Sequence, residues 1–184
     1  MSTSLSVKSI CLGVTGGVAA YKAAHLASRL TQKGIEVHVA LTKAGSNFIG
    51  SPTFLALTGN PVTESVFEGV RAPYGGHIEL ASRCDLLAIV PATADFLASA
   101  AHGKADCIAS ATYLAFQGPV YIAPAMNSAM WSHPATQRNV QTLKQDGTHL
   151  LEPDNGWLSC RQTGTGRLKD IDDILEILIQ AANS

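Results

Sequence analysis

The sequence predicts an α/β protein in which a mainly parallel sheet lies between two layers of helices. Apolar stretches without alternation, such as DLLAIVP at residues 85–91, are typical of strands that are buried on both faces. Between residues 8 and 30 the pattern changes from a short apolar strand, through Gly16 and Gly17, to a helical period. Strand and helix patterns then alternate along the chain, which favours a three-layer αβα arrangement.

The N-terminal half contains two clear strands, at residues 8–15 and 36–41. The helix between them has an apolar stripe and ends at Gly34, which suits the C′ position of a helix. This stripe consists of Ala23, Leu26, Ala27 and Leu30. After the second strand, Ser51-Pro52 marks a helix start. A short strand at 62–66, a loop at 68–76 and a helical pattern at 77–81 follow.

The C-terminal half continues the alternation. Asp170 is a good N-cap for the last helix, whose apolar face includes Ile174 and Leu178. The elements predicted before it are a strand at 85–91, helices at 94–101 and 106–116, a strand from 120, a helix at 134–145, a short strand at 148–151 and a loop at 154–167.

We expect a single domain over residues 1–184 with a Rossmann-like or flavodoxin-like sheet. Residues 8–152 form its core, residues 153–168 a lid over the site, and residues 170–182 a C-terminal helix. No internal repeat and no linker divides the chain.

Composition excludes several kinds of partner. Lys and Arg number 13 against 14 Asp and Glu, so no basic field for nucleic acid and no polybasic membrane segment is present. Only 15% of residues are charged, where about a quarter is usual, which suggests surface buried between subunits of a homo-oligomer. The four cysteines have no zinc-ligand spacing, so no metal is expected. Without a signal-peptide pattern, we expect reduced thiols and a cytoplasmic location.

The most informative stretch is VYIAPAMNSAMW at residues 120–131. A buried strand breaks at Pro124, and Met126, Asn127, Met130 and Trp131 follow at once. In open α/β sheets, ligands bind at the carboxyl ends of the strands. We therefore interpret this stretch as one wall of a small-molecule site.

Glycines occupy the first strand-to-helix turn, in the pattern Gly13-x-x-Gly16-Gly17-Val18. Such a turn lets the backbone approach a ligand, and the free N–H groups of a helix start attract an anion. A plain tight turn explains the pattern equally well. Thr42, at the end of the second strand, is either a further hydroxyl for the anion or a helix N-cap.

A second strand end, PATAD at residues 91–95, carries small residues and a hydroxyl. Ala92 makes room for a flat ring, and Thr93 can bond a polar edge of that ring. Alone, this segment is better explained as a turn with Thr93 as a helix cap. Ser110 is similar, since a helix serine usually bonds back to its own helix.

Two further residues are candidates for chemistry. His77 follows Gly75-Gly76 at a helix start; a single histidine is more often packed or exposed than catalytic, and this setting shifts the balance towards function. Cys160 lies in a glycine-rich polar stretch, which is a poor place to bury a thiol and therefore suggests reactivity. Cys11 and Cys84 lie in or beside apolar segments, and we expect them to pack.

Taken together, these stretches resemble the homo-oligomeric flavin-containing cysteine decarboxylases. The resemblance covers about residues 9–179. Its most specific part is PAMNSAMW at 124–131, which matches the family's Pro-x-Met-Asn-x-x-Met-Trp motif at every fixed position. GVTGGVAAYK at 13–22, GHIELA at 76–81 and PATAD match closely.

The resemblance implies a cofactor, FMN or less often FAD, at a subunit boundary in trimers that pack into a dodecamer. It places the flavin phosphate near Gly16, Gly17, Val18 and Thr42. The ring would lie among Ala92, Thr93, Ser110, Ala125 and Met126.

The resemblance also implies roles in catalysis. His77 matches the active-site histidine, Asn127 the amide that binds the substrate carboxylate, and Cys160 the lid cysteine that supplies a proton. Further contacts to the substrate are implied for Met130, Trp131, Gly164 and Arg167.

The family has two branches, which act on phosphopantothenoylcysteine in coenzyme A synthesis or on the C-terminal cysteine of a ribosomal precursor peptide. The usual lid sequence of the first branch is Cys-Gly-Asp, whereas this chain has Cys160-Arg161-Gln162, and Cys107 replaces an Asn or Asp. These differences, with no fused synthetase domain after Ser184, favour oxidative decarboxylation of a peptide. The alternatives are phosphopantothenoylcysteine decarboxylase and a flavin-binding regulatory subunit without catalysis. The prenyl-FMN synthase relatives rank below these because they lack the motif and the lid cysteine.

Overall fold

The centre of the fold is a six-stranded sheet in which every pair of neighbouring strands is parallel, in the order β3-β2-β1-β4-β5-β6. The computed structural model describes residues 9–67 and 74–183. The strands are β1 (Ser9–Val14), β2 (Glu36–Leu41), β3 (Val62–Thr63), β4 (Leu86–Ala92), β5 (Val120–Pro124) and β6 (His149–Leu150). The predicted α/β class is confirmed.

Helices cover both faces of the sheet, which confirms the three predicted layers. They are α1 (Ala20–Gln32), α2 (Ser51–Thr58), α3 (Gly76–Arg83), α4 (Ala94–Ala101), α5 (Ile108–Ala115), α6 (Ser128–Ser132), α7 (Pro134–Gln145) and α8 (Ile171–Ala182). A 3₁₀ turn, Gly45–Asn47, precedes α2. The predicted end of α1 is confirmed, because Gly34 has φ = 81° directly after the C-cap. Asp170 caps α8 by accepting a hydrogen bond from the Asp172 N–H at 3.0 Å.

The core consists of two apolar clusters, one on each face of the sheet. The first packs α1, α2 and α8 on the sheet through residues such as Leu26, Phe54 and Leu178. The second packs α3, α4, α5 and α7 through residues such as Leu80 and Leu97. Cys11 and Cys84 belong to this second cluster, as expected. Among the described residues, no helix is long and apolar enough to cross a bilayer.

The order of the strands reverses beside β1, because β2 lies on one side of it and β4 on the other. The loops that leave β1 and β4 therefore diverge to opposite faces. Such a switch point leaves a crevice at the carboxyl ends of the strands. Gly16 and Gly17, PATAD and PAMNSAMW all lie at this edge.

Two predictions about the C-terminal part were wrong. Residues 154–167, predicted as a loop, contain an antiparallel hairpin of β7 (Asp154–Trp157) and β8 (Thr163–Arg167). These strands hold glycine and polar residues instead of an apolar alternation, so their sequence has no strand signal. A one-turn helix, α6, follows PAMN where only a turn was predicted.

Other boundaries differ less. The strand predicted at 62–66 is reduced to β3 (Val62–Thr63), and the helix predicted from residue 106 begins as α5 at Ile108. The predicted loop at 68–76 lies mostly outside the described residues, and α3 begins at Gly76.

Candidate active site

A cavity of ≈ 650 Å³ lies at the carboxyl ends of β1, β4 and β5, with the β7–β8 hairpin as its outer wall. Its walls come from four segments: residues 16–22, residues 91–94, residues 125–130 and the hairpin with its turn. The volume falls within the range of about 300–1,000 Å³ that is usual for small-molecule sites. The crevice predicted at this edge is therefore present as a cavity that is partly open to solvent.

Glycine is required for different reasons at the two positions of the β1–α1 turn. A Cβ on Gly16 would lie 2.5 Å from the Cβ of Ala44, so this glycine allows the turn to pack on the loop after β2. A Cβ on Gly17 would meet nothing within 4 Å. Packing therefore explains Gly16, whereas the open space at Gly17 is consistent with backbone approach to a ligand.

Thr15 joins the ends of β1 and β4. Its hydroxyl donates to the Pro91 carbonyl at 2.7 Å and accepts from the Thr93 N–H at 3.0 Å. Thr93 itself caps α4, since its Oγ1 accepts from the Phe96 N–H at 3.2 Å. Thr15 was not predicted, although a buried hydroxyl at a strand end always needs partners. These bonds hold two walls of the cavity in register.

Asn127 has a fixed orientation in the cavity. As the N-cap of α6, its Oδ1 accepts from the Ala129 N–H at 2.8 Å. Its Nδ2 consequently points to the lid, where it donates to the Sγ of Cys160 at 3.3 Å. The structure thus brings together two of the three predicted catalytic residues.

The lid is attached to the β5–α6 connection by close backbone contact. The Met126 N–H donates to the Gly166 carbonyl at 2.9 Å, and a Cβ on Gly166 would lie 2.3 Å from the Met126 carbonyl oxygen. A Cβ on Gly164 would lie 2.4 Å from the Ser128 Oγ. Gly164 therefore serves the packing of β8 on α6, and it does not line the cavity.

The tip of the hairpin is a three-residue loop, Ser159-Cys160-Arg161. The Leu158 N–H donates to the Gln162 carbonyl, and the Arg161 N–H donates to the Leu158 carbonyl, both at 2.9 Å. Arg161 has φ = 63°, a conformation that glycine usually supplies at this place in a hairpin. The turn presents Cys160, which is exposed, to the cavity.

Most of the other predicted site residues line the same cavity: Val18, Ala125, Met126, Met130 and Arg167. The lining residues that sequence reasoning missed include Tyr21, Lys22, Trp157 and Ser159. Tyr21 and Trp157 are mostly exposed aromatic rings at the mouth of the cavity. An exposed aromatic in a surface hairpin was the signal available for Trp157.

Four further predicted site residues, besides Gly164, lie outside the cavity and have structural roles in this subunit. The Thr42 hydroxyl donates to the Val14 carbonyl and accepts from the Gly45 N–H. It therefore has a capping role, which was one of the two alternatives predicted for it. Ser110 forms a capping box with Cys107 at the start of α5. Ala92 and Trp131 are buried in the second core cluster.

His77 is the second residue of α3 and does not line the cavity of its own subunit. Its ring lies over Gly75, where an added Cβ would be 3.2 Å from the Nδ1 atom. Gly75 has φ = 92°, so it supplies both the turn and the space. The Nδ1 atom is buried and has no hydrogen-bond partner among the described residues.

The buried thiol of Cys11 is chemically quiet. A hydrogen bond with the Cys84 thiol, together with burial, raises the pKa of Cys11 well above its ordinary value. A thiol with a raised pKa carries little of the reactive thiolate form. Cys160 is therefore the cysteine placed for chemistry.

Comparison with known proteins identifies the family of this chain. The chain matches the Flavoprotein family over residues 1–183. It is 43% identical over 180 residues to the coenzyme A biosynthesis bifunctional protein CoaBC of Mycolicibacterium smegmatis, a match that covers 96% of this chain and 43% of that protein. The chain thus spans less than half the length of the curated relatives it matches.

Two solved structures are similar over nearly their whole length. The FMN-dependent cysteine decarboxylase SpaF has a TM-score of 0.84 at 34% identity, with 98% of this chain and 100% of that chain covered. A cysteine-to-serine variant of PPC decarboxylase complexed with pantothenoylaminoethenethiol has a TM-score of 0.84 at 28% identity, with 96% and 98% covered. The predicted resemblance is confirmed, and the chain belongs to the Flavoprotein family.

Proposed function

We propose that this protein is an FMN-dependent decarboxylase of phosphopantothenoylcysteine. The observation that carries the proposal is the contact between Asn127 Nδ2 and Cys160 Sγ at 3.3 Å on the lid side of the cavity. It places an amide donor for a carboxylate beside a thiol that can deliver a proton. Relatives in coenzyme A biosynthesis, 39–44% identical, support this substrate over the peptide that the lid sequence alone favours.

The cavity fits a flavin. Gly17 leaves room for close approach of a ligand, and no Asp or Glu lines the cavity to repel the phosphate. Gly16, Gly17 and Val18 would hold the phosphate, and Thr93, Ala125 and Met126 would contact the ring. When bound, FMN supplies a two-electron acceptor for the thiol-bearing carbon of the substrate.

The residues of the chain then position the substrate and move its protons. Asn127 can donate to the substrate carboxylate, because its Oδ1 is already engaged by the cap and only Nδ2 remains available. Loss of CO₂ leaves electrons that delocalise into the oxidised carbon–sulfur group as an enethiolate. Cys160, at the lid tip, can supply the proton that a saturated product requires. The two electrons and the hydrogen that FMN would have accepted would return to the thiol-bearing carbon, so that the overall reaction loses CO₂ alone. The hairpin excludes water above these groups.

The active unit is a homo-oligomer in this proposal. His77 and Ser110 lie outside the cavity of their own subunit, on α3 and α5. Beside them Ile78 and Leu114 expose apolar side chains, and the His77 Nδ1 is buried without a partner in the described part of the chain. These observations favour a neighbouring subunit at this face, so that each site would combine His77 of one copy with Asn127 of another.

A complementation experiment tests the shared site. His77→Asn and Asn127→Asp are each expected to be inactive, and co-expression of the two variants should restore part of the activity. Mixed oligomers then contain some sites with both native residues. Absence of restored activity in oligomers shown by mass spectrometry to be mixed would contradict the shared site.

The second candidate function is oxidative decarboxylation of a peptide that ends in cysteine. The observation that favours it is Arg161, a bulky cation where the coenzyme A branch has glycine. Incubation of the FMN-loaded protein with each substrate, followed by mass spectrometry, separates the functions. Loss of CO₂ alone from phosphopantothenoylcysteine supports the first. Loss of CO₂ and two hydrogens from the peptide supports the second, and a yellow protein that converts neither supports a regulatory subunit.

A further inference from the structure

Two cations line the cavity without any acidic residue beside them. Lys22 lies in the first turn of α1, and Arg167 is the last residue of β8, so they come from different walls. Neither side chain forms an ion pair or hydrogen bond within the described part of the chain. Among the residues that the structure describes, the charged side chains that line the cavity are therefore both positive.

Several cations outside the cavity are neutralised locally by an acidic partner. Arg29 pairs with Asp172 at 2.8 Å, and Lys104 pairs with Asp106 at 2.6 Å. A cleft lined by one sign of charge raises the local concentration of ligands with the opposite charge. Lys22 and Arg167 therefore favour an anionic ligand group in the cavity.

The Arg167 side chain packs on β7, the strand that pairs with β8. A Cβ on Gly156 would lie 2.9 Å from the Arg167 Cδ and 3.1 Å from a terminal guanidinium nitrogen. The side chain thus lies directly across Gly156, in space that only a glycine leaves open. Next to it, Gly166 bonds to Met126, so the guanidinium is carried by the anchored part of the lid.

We infer that Lys22 and Arg167 together bind the phosphate monoester of the substrate, at the end remote from the reacting cysteine. This inference rests on the proposed function, in which Asn127 takes the substrate carboxylate and leaves the phosphate as the remaining anion. A phosphate monoester carries nearly two negative charges near neutral pH, which matches two cations. Arg can bind it through two parallel N–H donors and Lys as a point charge.

FMN is also a phosphate monoester, so the experiment must separate the two sources. We expect the cofactor phosphate at the backbone N–H groups of Gly16 and Gly17, which leaves the side chains of Lys22 and Arg167 to the substrate. Lys22→Gln and Arg167→Gln each remove one charge while keeping a polar, unbranched side chain. Lys33→Gln is the matched control, because Lys33 is exposed at the other end of α1.

The test compares phosphopantothenoylcysteine with pantothenoylcysteine, which lacks the phosphate, on FMN-loaded protein. We expect the ratio of the two kcat/KM values to fall about tenfold in Lys22→Gln and in Arg167→Gln, mainly through KM. The ratio should be unchanged in Lys33→Gln. An equal loss for both substrates, or no change in the ratio, would overturn the inference. Weaker FMN binding with an unchanged ratio would assign the cations to the cofactor instead.

A binding experiment keeps the inference separate from catalysis. Titration calorimetry should show that FMN-loaded protein binds phosphopantothenate more tightly than pantothenate, and that Lys22→Gln removes most of this difference. If that result is obtained with a protein that decarboxylates neither substrate, the phosphate site stands and the proposed function fails. If both compounds bind equally to the unmodified protein, the inference is overturned.

Discussion

The side-chain amide of Asn127 donates a hydrogen bond to the thiol sulfur of Cys160, with 3.3 Å between the Nδ2 and Sγ atoms. The two residues are 33 positions apart and come from the N-cap of α6 and the tip of the β7–β8 hairpin. The contact closes the lid on the residue that is proposed to hold the carboxylate. The chemical role of the Asn127 side chain can be tested separately from its structural role, because its Nδ2 faces the lid whereas its Oδ1 caps α6.

Asn127→Asp should abolish activity while leaving the fold intact. The aspartate still accepts from the Ala129 N–H, but it brings a negative charge to the substrate carboxylate and loses the N–H donor. We expect kcat/KM to fall by at least about a hundredfold, since like charges in a cleft repel strongly. The midpoint of thermal unfolding should stay within a few degrees. Asn127→Ala, which also removes the cap, should lower the free energy of unfolding by about 1 kcal/mol.

Cys160→Ser should stop the reaction before the saturated product forms. The hydroxyl holds its proton more tightly than the thiol does, so protonation of the enethiol becomes slow. Mass spectrometry should then show a product that has lost CO₂ and two hydrogens. Cys107→Ser is the control, because Cys107 is a half-buried cap of α5 outside the cavity. Saturated product at the unmodified rate would exclude Cys160 as the proton donor.

Arg161→Gly should stabilise the lid. Arg161 has φ = 63°, a region that costs a residue with a Cβ about 1 kcal/mol. We expect Arg161→Gly to have a free energy of unfolding about 0.5–1 kcal/mol above that of Arg161→Ala, since both lose the charge and only glycine relieves the strain. Urea titration measures this difference. Equal stability of the two variants would show that the turn relaxes without strain.

The two glycines of the β1–α1 turn should respond in opposite ways to alanine. Gly16→Ala places a Cβ 2.5 Å from that of Ala44 and should destabilise the fold by about 1–3 kcal/mol. Gly17→Ala meets no neighbour within 4 Å, so the fold should keep its stability. Its added methyl group should instead weaken FMN binding, measured by flavin fluorescence, about tenfold. Unchanged FMN affinity in Gly17→Ala would place the phosphate elsewhere.

The fold should lose stability in mild acid through His38. Burial lowers the pKa of His38, and the nearby charge of Arg83 adds to the lowering. Glu36 and Glu79 act in the opposite direction but do not outweigh burial. The Oε1 atom of Glu36 lies 2.9 Å from the His38 Nε2 atom, without hydrogen-bond geometry. Well above the ordinary histidine pKa of about 6.5, the imidazole is neutral in both states and contributes no pH dependence. As the pH falls from there towards the folded pKa, the unfolded state binds the proton first. Stability should therefore fall, by at most about 1.4 kcal/mol per pH unit.

Urea titrations between pH 7 and pH 5 measure this loss, and NMR of the imidazole protons gives the folded pKa. A His38 resonance that titrates at or above the pKa of an exposed histidine would contradict the expected sign.

Sequence patterns predicted the elements whose apolar residues face one core. β2 (Glu36–Leu41), α4 (Ala94–Ala101) and α7 (Pro134–Gln145) have the bounds that their periodicity and caps indicate. In each case the local pattern and the burial in the fold agree. The hairpin was missed because its strands pair with each other and pack on α6 through glycines, which leave no hydrophobic period.

Only some residues of the candidate site could be predicted from the sequence, because local patterns do not show which side chains meet in the fold. Asn127 and Cys160 were identified by the motif and by an unusual thiol, and the structure brings them into contact. Thr42 and Ser110 have hydroxyls that are used by caps within the subunit. Lys22 ends a stretch that resembles the family, but the pattern predicted no role for its side chain, because a lysine in a helix is ordinary until a cavity without acidic residues forms beside it.

The amino-acid sequence by itself determined the order of strands and helices, the parallel sheet and the edge at which a ligand would lie, because burial on two faces and helix period are local properties of the chain. Only the tertiary structure decided which side chains share the cavity. That depends on the hairpin, whose glycines let its backbone lie against Met126 and Ser128, so that Cys160 contacts Asn127 and Arg167 lines the cavity. Such contacts join residues that are far apart in the chain, and no local pattern records them.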